Sequence, residues 1–232
     1  MQGSARPLAW LVSALFTVNV GCGQIQLPVT FALQGENTIT LEVPFFPPGN
    51  NVFSSSLLGG ADATVSIDLN PFELFSPQGL VALIAIDQIR MAGTPIDLFG
   101  LNTGTICIYD DVENPGGGIA YLRPLRREGD FTLAFNTLIS VTDPVLLGLF
   151  PDPLPFAAEV DTTVPITLSD LFGLIAGSGS GGIELSQELT STLPDMPILG
   201  GSIVTADLTL ATVEEFPSDP LLDECEAFIA GL

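Results

Sequence analysis

Histidine and lysine are both missing from this 232-residue chain. Without imidazole there can be no Ser-His-Asp triad, no Cys-His dyad and no His-ligated zinc. Five arginines stand against 27 acids, a net charge of −22. Phosphate neutralisation needs clustered cations, so nucleic acid is excluded as a partner. Docking on anionic lipid through a basic face alone is excluded on the same ground. Tryptophan occurs once, at Trp10, and tyrosine twice, at Tyr109 and Tyr121. That is too few for the aromatic girdles of a membrane-spanning β-barrel. It is also too few for a platform on which sugar rings stack. No phosphate loop or dinucleotide fingerprint occurs. Gly177-Ser178-Gly179-Ser180-Gly181 has glycine where a nucleophile elbow needs serine, and reads as a flexible hairpin loop. Paired carboxylates can hydrolyse glycosides, but among 27 acids any spacing can be found, so no pair is singled out.

What the chain does have begins at its amino terminus. Arg6 is the only charge before Glu36, and Leu8 to Val20 is almost wholly apolar. Thirteen residues cannot cross a bilayer, which takes roughly 20. They suit the apolar region of an export signal, about 7–15 residues long. Val18-Asn19-Val20-Gly21-Cys22 then resembles the lipobox of bacterial lipoproteins, with Asn19 standing where an aliphatic residue is usual. The resemblance implies cleavage before Cys22 and acyl chains on it, hence a membrane partner reached through lipid. Gly23, and not Asp, follows the cysteine, which resembles onward export to an outer membrane. Ordinary secretion or periplasmic release is the alternative.

Cysteine usage agrees with export. The count is three, odd for a secreted protein. With Cys22 acylated, Cys107 and Cys225 remain to pair in an oxidising compartment. Two buried free thiols are the alternative.

Past Cys22 the chain alternates at period two, the mark of half-buried strands. Leu27, Val29, Phe31 and Leu33 share a face. Ala61, Ala63, Val65, Ile67 and Leu69 alternate with Asp62, Thr64, Ser66 and Asp68. Phe131, Leu133, Phe135, Ile139 and Val141 alternate with Thr132, Asn136 and Ser140. Eight to ten strands follow, with Thr and Asp outward as in antiparallel sheets with one wet side. The predicted fold is mainly β: long antiparallel strands, sandwich-like or as a curved sheet, with a few short helices. Residues 1–21 form the signal, 22–26 a short tether, and 27–232 a single domain ending in a helix over 220–232. Asp219 is its N-cap and Pro220 its first residue. Leu221, Leu222, Cys225, Phe228, Ile229 and Leu232 make the buried stripe, while Asp223, Glu224 and Glu226 face water. Ser169-Asp170 caps a shorter helix over 171–176, and Asp143-Pro144 opens a turn to Leu149. Asp97-Leu98-Phe99-Gly100-Leu101 recurs as Asp170-Leu171-Phe172-Gly173-Leu174, a weak sign of duplication.

Two clusters carry chemistry. Asp110, Asp111, Glu113 and Asn114 form the densest oxygen-rich loop, a candidate for calcium that lacks EF-hand spacing; the bland alternative is a solvated acidic turn, and no other cofactor is indicated. Arg123, Arg126 and Arg127 gather three of the four arginines beyond Cys22. They either pair with acids such as Asp110, Asp111 or Glu128, or form a site for an anionic head group or acidic partner. The resulting expectation is a non-enzymatic lipoprotein of the cell envelope with a structural or interaction role. The alternative is a carrier of lipid or another apolar ligand, since 47% of the chain is apolar.

Overall fold

The computed structural model describes residues 24–68, 70, 72–98, 100–143, 153–175, 183–193 and 201–231. The signal segment with Cys22, the turn over 144–149 and the 177–181 loop lie outside the described residues.

The described chain is mainly β, in one antiparallel ten-stranded sheet with a small hairpin and two helices. The strands are β1 (Gln24–Leu33), β2 (Thr38–Glu42), β3 (Val52–Asp68), β4 (Leu80–Gly93), β5 (Asp97–Leu98), β6 (Leu101–Asn102), β7 (Ile106–Asp110), β8 (Gly117–Arg123), β9 (Glu128–Val141), β10 (Leu154–Val164), β11 (Glu184–Thr192) and β12 (Ile203–Val213). The helices are α1 (Leu168–Ile175) and α2 (Pro220–Ile229). β1 starts at Gln24, inside the expected 22–26 tether, because Gln24 already pairs with Asp68 of β3.

The pairing order is β11-β12-β1/β2-β3-β4-β7/β8-β9-β10. β1 and β2 share one rank: β1 pairs Gly60–Asp68 of β3, and β2 pairs Val52–Ser56 of the same strand. β7 and β8 likewise divide β4 between Arg90–Gly93 and Leu80–Ala85. Any level of the molecule is therefore ringed by eight strands. The sheet curls until its end strands, β10 and β11, lie side by side, with no strand pairing between them among the described residues. Eight strands give an interior just wide enough for side chains to fill. Alternation supplies those side chains: Leu27, Val65, Ile67, Ile89, Phe131, Leu133, Phe156, Val160, Leu185, Leu189 and Leu208 are buried in one core.

Pro155 interrupts none of this. Its missing N–H would break a ladder in a central strand, but β10 pairs only with β9, and prolines are confined to such edges.

The barrel has two rims. One carries Gln24, the loop 70–79, the β8–β9 turn and α1; the other carries the β2–β3 loop around Phe45 and the ends of β11 and β12 at Thr192 and Ile203. α1 begins earlier than the 171–176 prediction. Its capping pair is Thr167 with Asp170 and not Ser169 with Asp170: Asp170 N donates to Thr167 Oγ1 (3.3 Å), and Thr167 N donates back to Asp170 Oδ2 (2.7 Å). The Asp-Leu-Phe-Gly-Leu echo is not a structural repeat among the described residues. Asp97 and Leu98 lie in a hairpin turned by Gly100 at φ +85°, whereas Asp170 and Leu171 are helical.

Candidate functional site

Helix α2 is clamped to the outside of the barrel. Its N-cap is Asp219, whose Oδ1 accepts from Leu221 N (2.9 Å), with Pro220 next, as the sequence predicts. Period two turns Cys107 outward from β7 while Ile106 and Ile108 point into the core. Cys225 meets it in a disulfide with Cα atoms 5.4 Å apart, closing a sequence separation of 118 residues. Leu222 and Cys225 are buried against Ala92 and Cys107, flanked by Phe216, Leu221, Phe228 and Ile229. Leu232 lies outside the described residues.

Glu224 and Glu226 are exposed, as expected, and each also reaches a side chain of the sheet. Glu224 accepts from Thr105 Oγ1 (2.8 Å) and Thr142 Oγ1 (3.1 Å). Glu226 lies 3.4 Å from Arg90 Nη1. Arg90, which the sequence did not single out, is the hub. Its Nη2 is 2.7 Å from Asp62 Oδ2, and its guanidinium lies 3.8 Å from the centre of the Phe216 ring. The available signal was the single cation of a mostly apolar strand.

The arginine cluster divides into two parts. Arg123 ends β8, and its Nη1 is 2.5 Å from Asp130 Oδ2 and 3.3 Å from Glu128 Oε1 across the hairpin. Its Nε also donates to Pro77 O (3.1 Å), tying the 70–79 loop to the turn. Of the acids expected to pair with the cluster, Glu128 does so and Asp110 and Asp111 do not. The hydrogen bond from Arg123, followed by one from Thr163 Oγ1, holds the Asp130 carboxyl below the usual carboxylate range. The same bond raises Arg123 above its ordinary value. Arg126 and Arg127 stand exposed in the turn between β8 and β9 and make no ion pair among the described residues. Arg127 has φ +60°, the left-handed conformation that reverses the chain.

The acidic loop uses its oxygens internally. Asp111 Oδ1 accepts from the backbone N–H of Glu113 (3.0 Å) and Asn114 (3.3 Å), and Oδ2 accepts from Asn114 Nδ2 (2.9 Å). The Asn114 bond chiefly holds the Asp111 carboxyl below its usual range. Asp110 points elsewhere. Between the stretches paired with β7 and β8, β4 has no ladder partner on that side, and Asp110 Oδ1 accepts from the orphaned Ile89 N (3.4 Å). Among the described residues no three His, Cys, Asp or Glu side chains are grouped to hold a metal ion.

Inside the barrel a void of about 30 Å³ is ringed by all eight ranks of strand, Leu57, Met91, Ile108, Phe135, Phe156 and Leu208 among its lining. Its one polar neighbour, Thr137, spends its hydroxyl on Phe156 O (3.1 Å). Among the described residues no helix is long and apolar enough to cross a membrane.

No protein-family model matches this chain, and no curated protein matches it. Among solved structures, DynF from the dynemicin biosynthesis pathway of Micromonospora chersina aligns with 84% of this chain and 87% of its own. The identity is 12% and the TM-score 0.39.

Proposed function

We propose that this chain is an exported, lipid-anchored protein of a bacterial cell envelope, non-enzymatic, acting through the surface of its barrel in a structural or interaction role. The observation that carries this is the fate of the cysteines. Cys107 and Cys225 are bonded to one another, as in proteins of oxidising compartments. Cys22 is thereby left as the single unmatched thiol, directly behind an export-like apolar run. The test is intact mass of the exported protein beside Cys22→Ser. Acyl mass on the wild type, lost in the variant, supports the anchor; an unmodified Cys22 removes it.

The carrier reading rests on a different observation, the largely apolar inward faces that surround a void. Ligand pockets run to about 300–1,000 Å³, and this void, at about 30 Å³, is too small to hold a lipid. On that observation the filled scaffold is the preferred reading. Organic extraction of purified protein followed by mass spectrometry decides: a stoichiometric lipid would reverse the preference.

A further inference from the structure

The rim at which the described chain begins gathers more exposed apolar side chains than the opposite rim, where Phe45, Val52 and Ile203 are exposed. Phe72 and Phe75, in the 70–79 loop, are 83% and 78% exposed. Leu125, in the β8–β9 turn, is half exposed, and so is Phe172 of α1. Leu168, four residues before Phe172, shares its face of the helix. These segments are stitched into one surface. Arg123 Nε bonds the 70–79 loop, and Ile166 N, just before α1, donates to Arg127 O (3.4 Å). Single exposed apolar residues need no explanation, but several gathered on one rim mark a contact surface.

Two further observations say what covers it. Arg126 and Arg127 are set among these apolar side chains, exposed and without ion pairs among the described residues, in a chain with 27 acids. Of the rim's carboxylates, Glu128 and Asp130 are paired with Arg123, while Glu73 and Asp170 are hydrogen-bonded by Asn70 and Thr167 and keep their charge. Asp68 is the exposed acid at the foot of β3. The second observation is where the chain enters. Gln24 pairs with Asp68 on this rim, and Cys22 stands two residues earlier in the sequence. Two residues reach at most about 7 Å.

We infer that this rim is the membrane-facing end of the protein: Phe72, Phe75, Leu125 and Phe172 enter the interfacial layer of a bilayer, and Arg126 and Arg127 meet lipid phosphates. The inference rests on the anchor proposed above, which brings this rim and no other to the surface. The acyl chains expected on Cys22 hold the domain at the surface, and the rim adds a second contact that fixes its orientation there. Apolar insertion does the binding here, and two arginines suffice to orient it, so the net acidity of the whole chain is no obstacle.

The test uses the absence of tryptophan beyond Trp10. Phe72→Trp, Phe75→Trp and, on the opposite rim, Phe45→Trp are made singly in the full chain carrying Trp10→Phe, so each reporter is unique. Each protein is reconstituted on phosphatidylcholine–phosphatidylglycerol vesicles with and without brominated acyl chains. The reporters at 72 and 75 should lose at least about half their emission to bromine, as side chains seated some 5–10 Å deep do. The reporter at 45 should lose none, and adding Arg126→Glu with Arg127→Glu should reduce the loss at 72. Equal emission from brominated and plain vesicles at 72 and 75, or equal quenching on both rims, overturns the inference. Intact mass of the same samples separates the two claims. Acyl mass without quenching keeps the anchor and rejects the rim; quenching without acyl mass keeps the rim and rejects the anchor.

Discussion

The guanidinium of Arg90 lies 3.8 Å from the centre of the Phe216 ring while its Nη2 holds Asp62 at 2.7 Å. One side chain thus joins the sheet to the segment leading into α2. Arg90→Ala removes the ion pair, the cation–π contact and the packing of the aliphatic stem together. The expected loss is about 1–3 kcal/mol in urea unfolding. Asp62→Asn, which leaves the ring contact in place, should cost less. Equal costs would show that the ring contributes nothing.

The disulfide should matter most to the helix it holds. Replacing Cys107 and Cys225 together by serine releases a loop spanning 118 residues. Such a bridge is worth about 2–4 kcal/mol. Hydrogen exchange should show α2 losing protection before β3 and β4, because the barrel core does not depend on it. Uniform loss across strands and helix would mean that α2 is part of the same folding unit.

Acid should loosen the β8–β9 hairpin. Asp130 titrates below the usual carboxylate value when folded, foremost through Arg123. Its stabilising contribution is therefore complete above the unfolded value of about 3.9 and lost as pH falls through the lower folded value. Asp130→Asn should be less stable than wild type at pH near 7. The difference should vanish in strong acid, below the folded value. Side chains this exposed are screened, so the effect is small. A difference that does not change with pH would assign the loss to something other than the charge.

Gly59 and Gly100 separate crowding from backbone strain. Both have positive φ, +112° and +85°. A methyl on Gly59 would run into the Arg90 carbonyl and come within 3.0 Å of Leu222 Cδ2, whereas nothing lies within 4 Å of one on Gly100. Gly100→Ala should cost about 1–2 kcal/mol, the price of the left-handed conformation alone. Gly59→Ala should cost distinctly more, and should weaken α2 docking, since β3, β4 and Leu222 converge there. Equal thermal midpoints would show that β3 and β4 move apart freely.

The sequence showed the fold where one face was apolar and the other polar. β3 from Ala61 and β9 from Phe131 to Ile139 bury the residues that alternation predicts. It failed where both faces were ambiguous. β8 was hidden because Gly117 and Gly118 read as a break and because Ile119 and Tyr121 are apolar yet exposed, so no alternation was visible. The first half of β3, with three serines in a row, shows no run of alternating apolar residues, and it is strand because β2 forms a ladder against it. The Cys107–Cys225 pairing was legible from arithmetic alone. Arg90 was not, because its partners Asp62, Phe216 and Glu226 are scattered over the chain and only the fold assembles them. Asp110 was misleading for a related reason. Composition put it in an acidic loop, while a gap between two strands gave it a backbone N–H to satisfy.

The side-by-side but unpaired β10 and β11 have a mechanical consequence. Every other neighbouring pair around the wall is stitched by a ladder of backbone bonds, and parting any of them would strip those bonds one after another. Parting β10 from β11 breaks no ladder among the described residues. Of the neighbouring pairs around the wall, this is therefore the one whose separation would strip no backbone ladder.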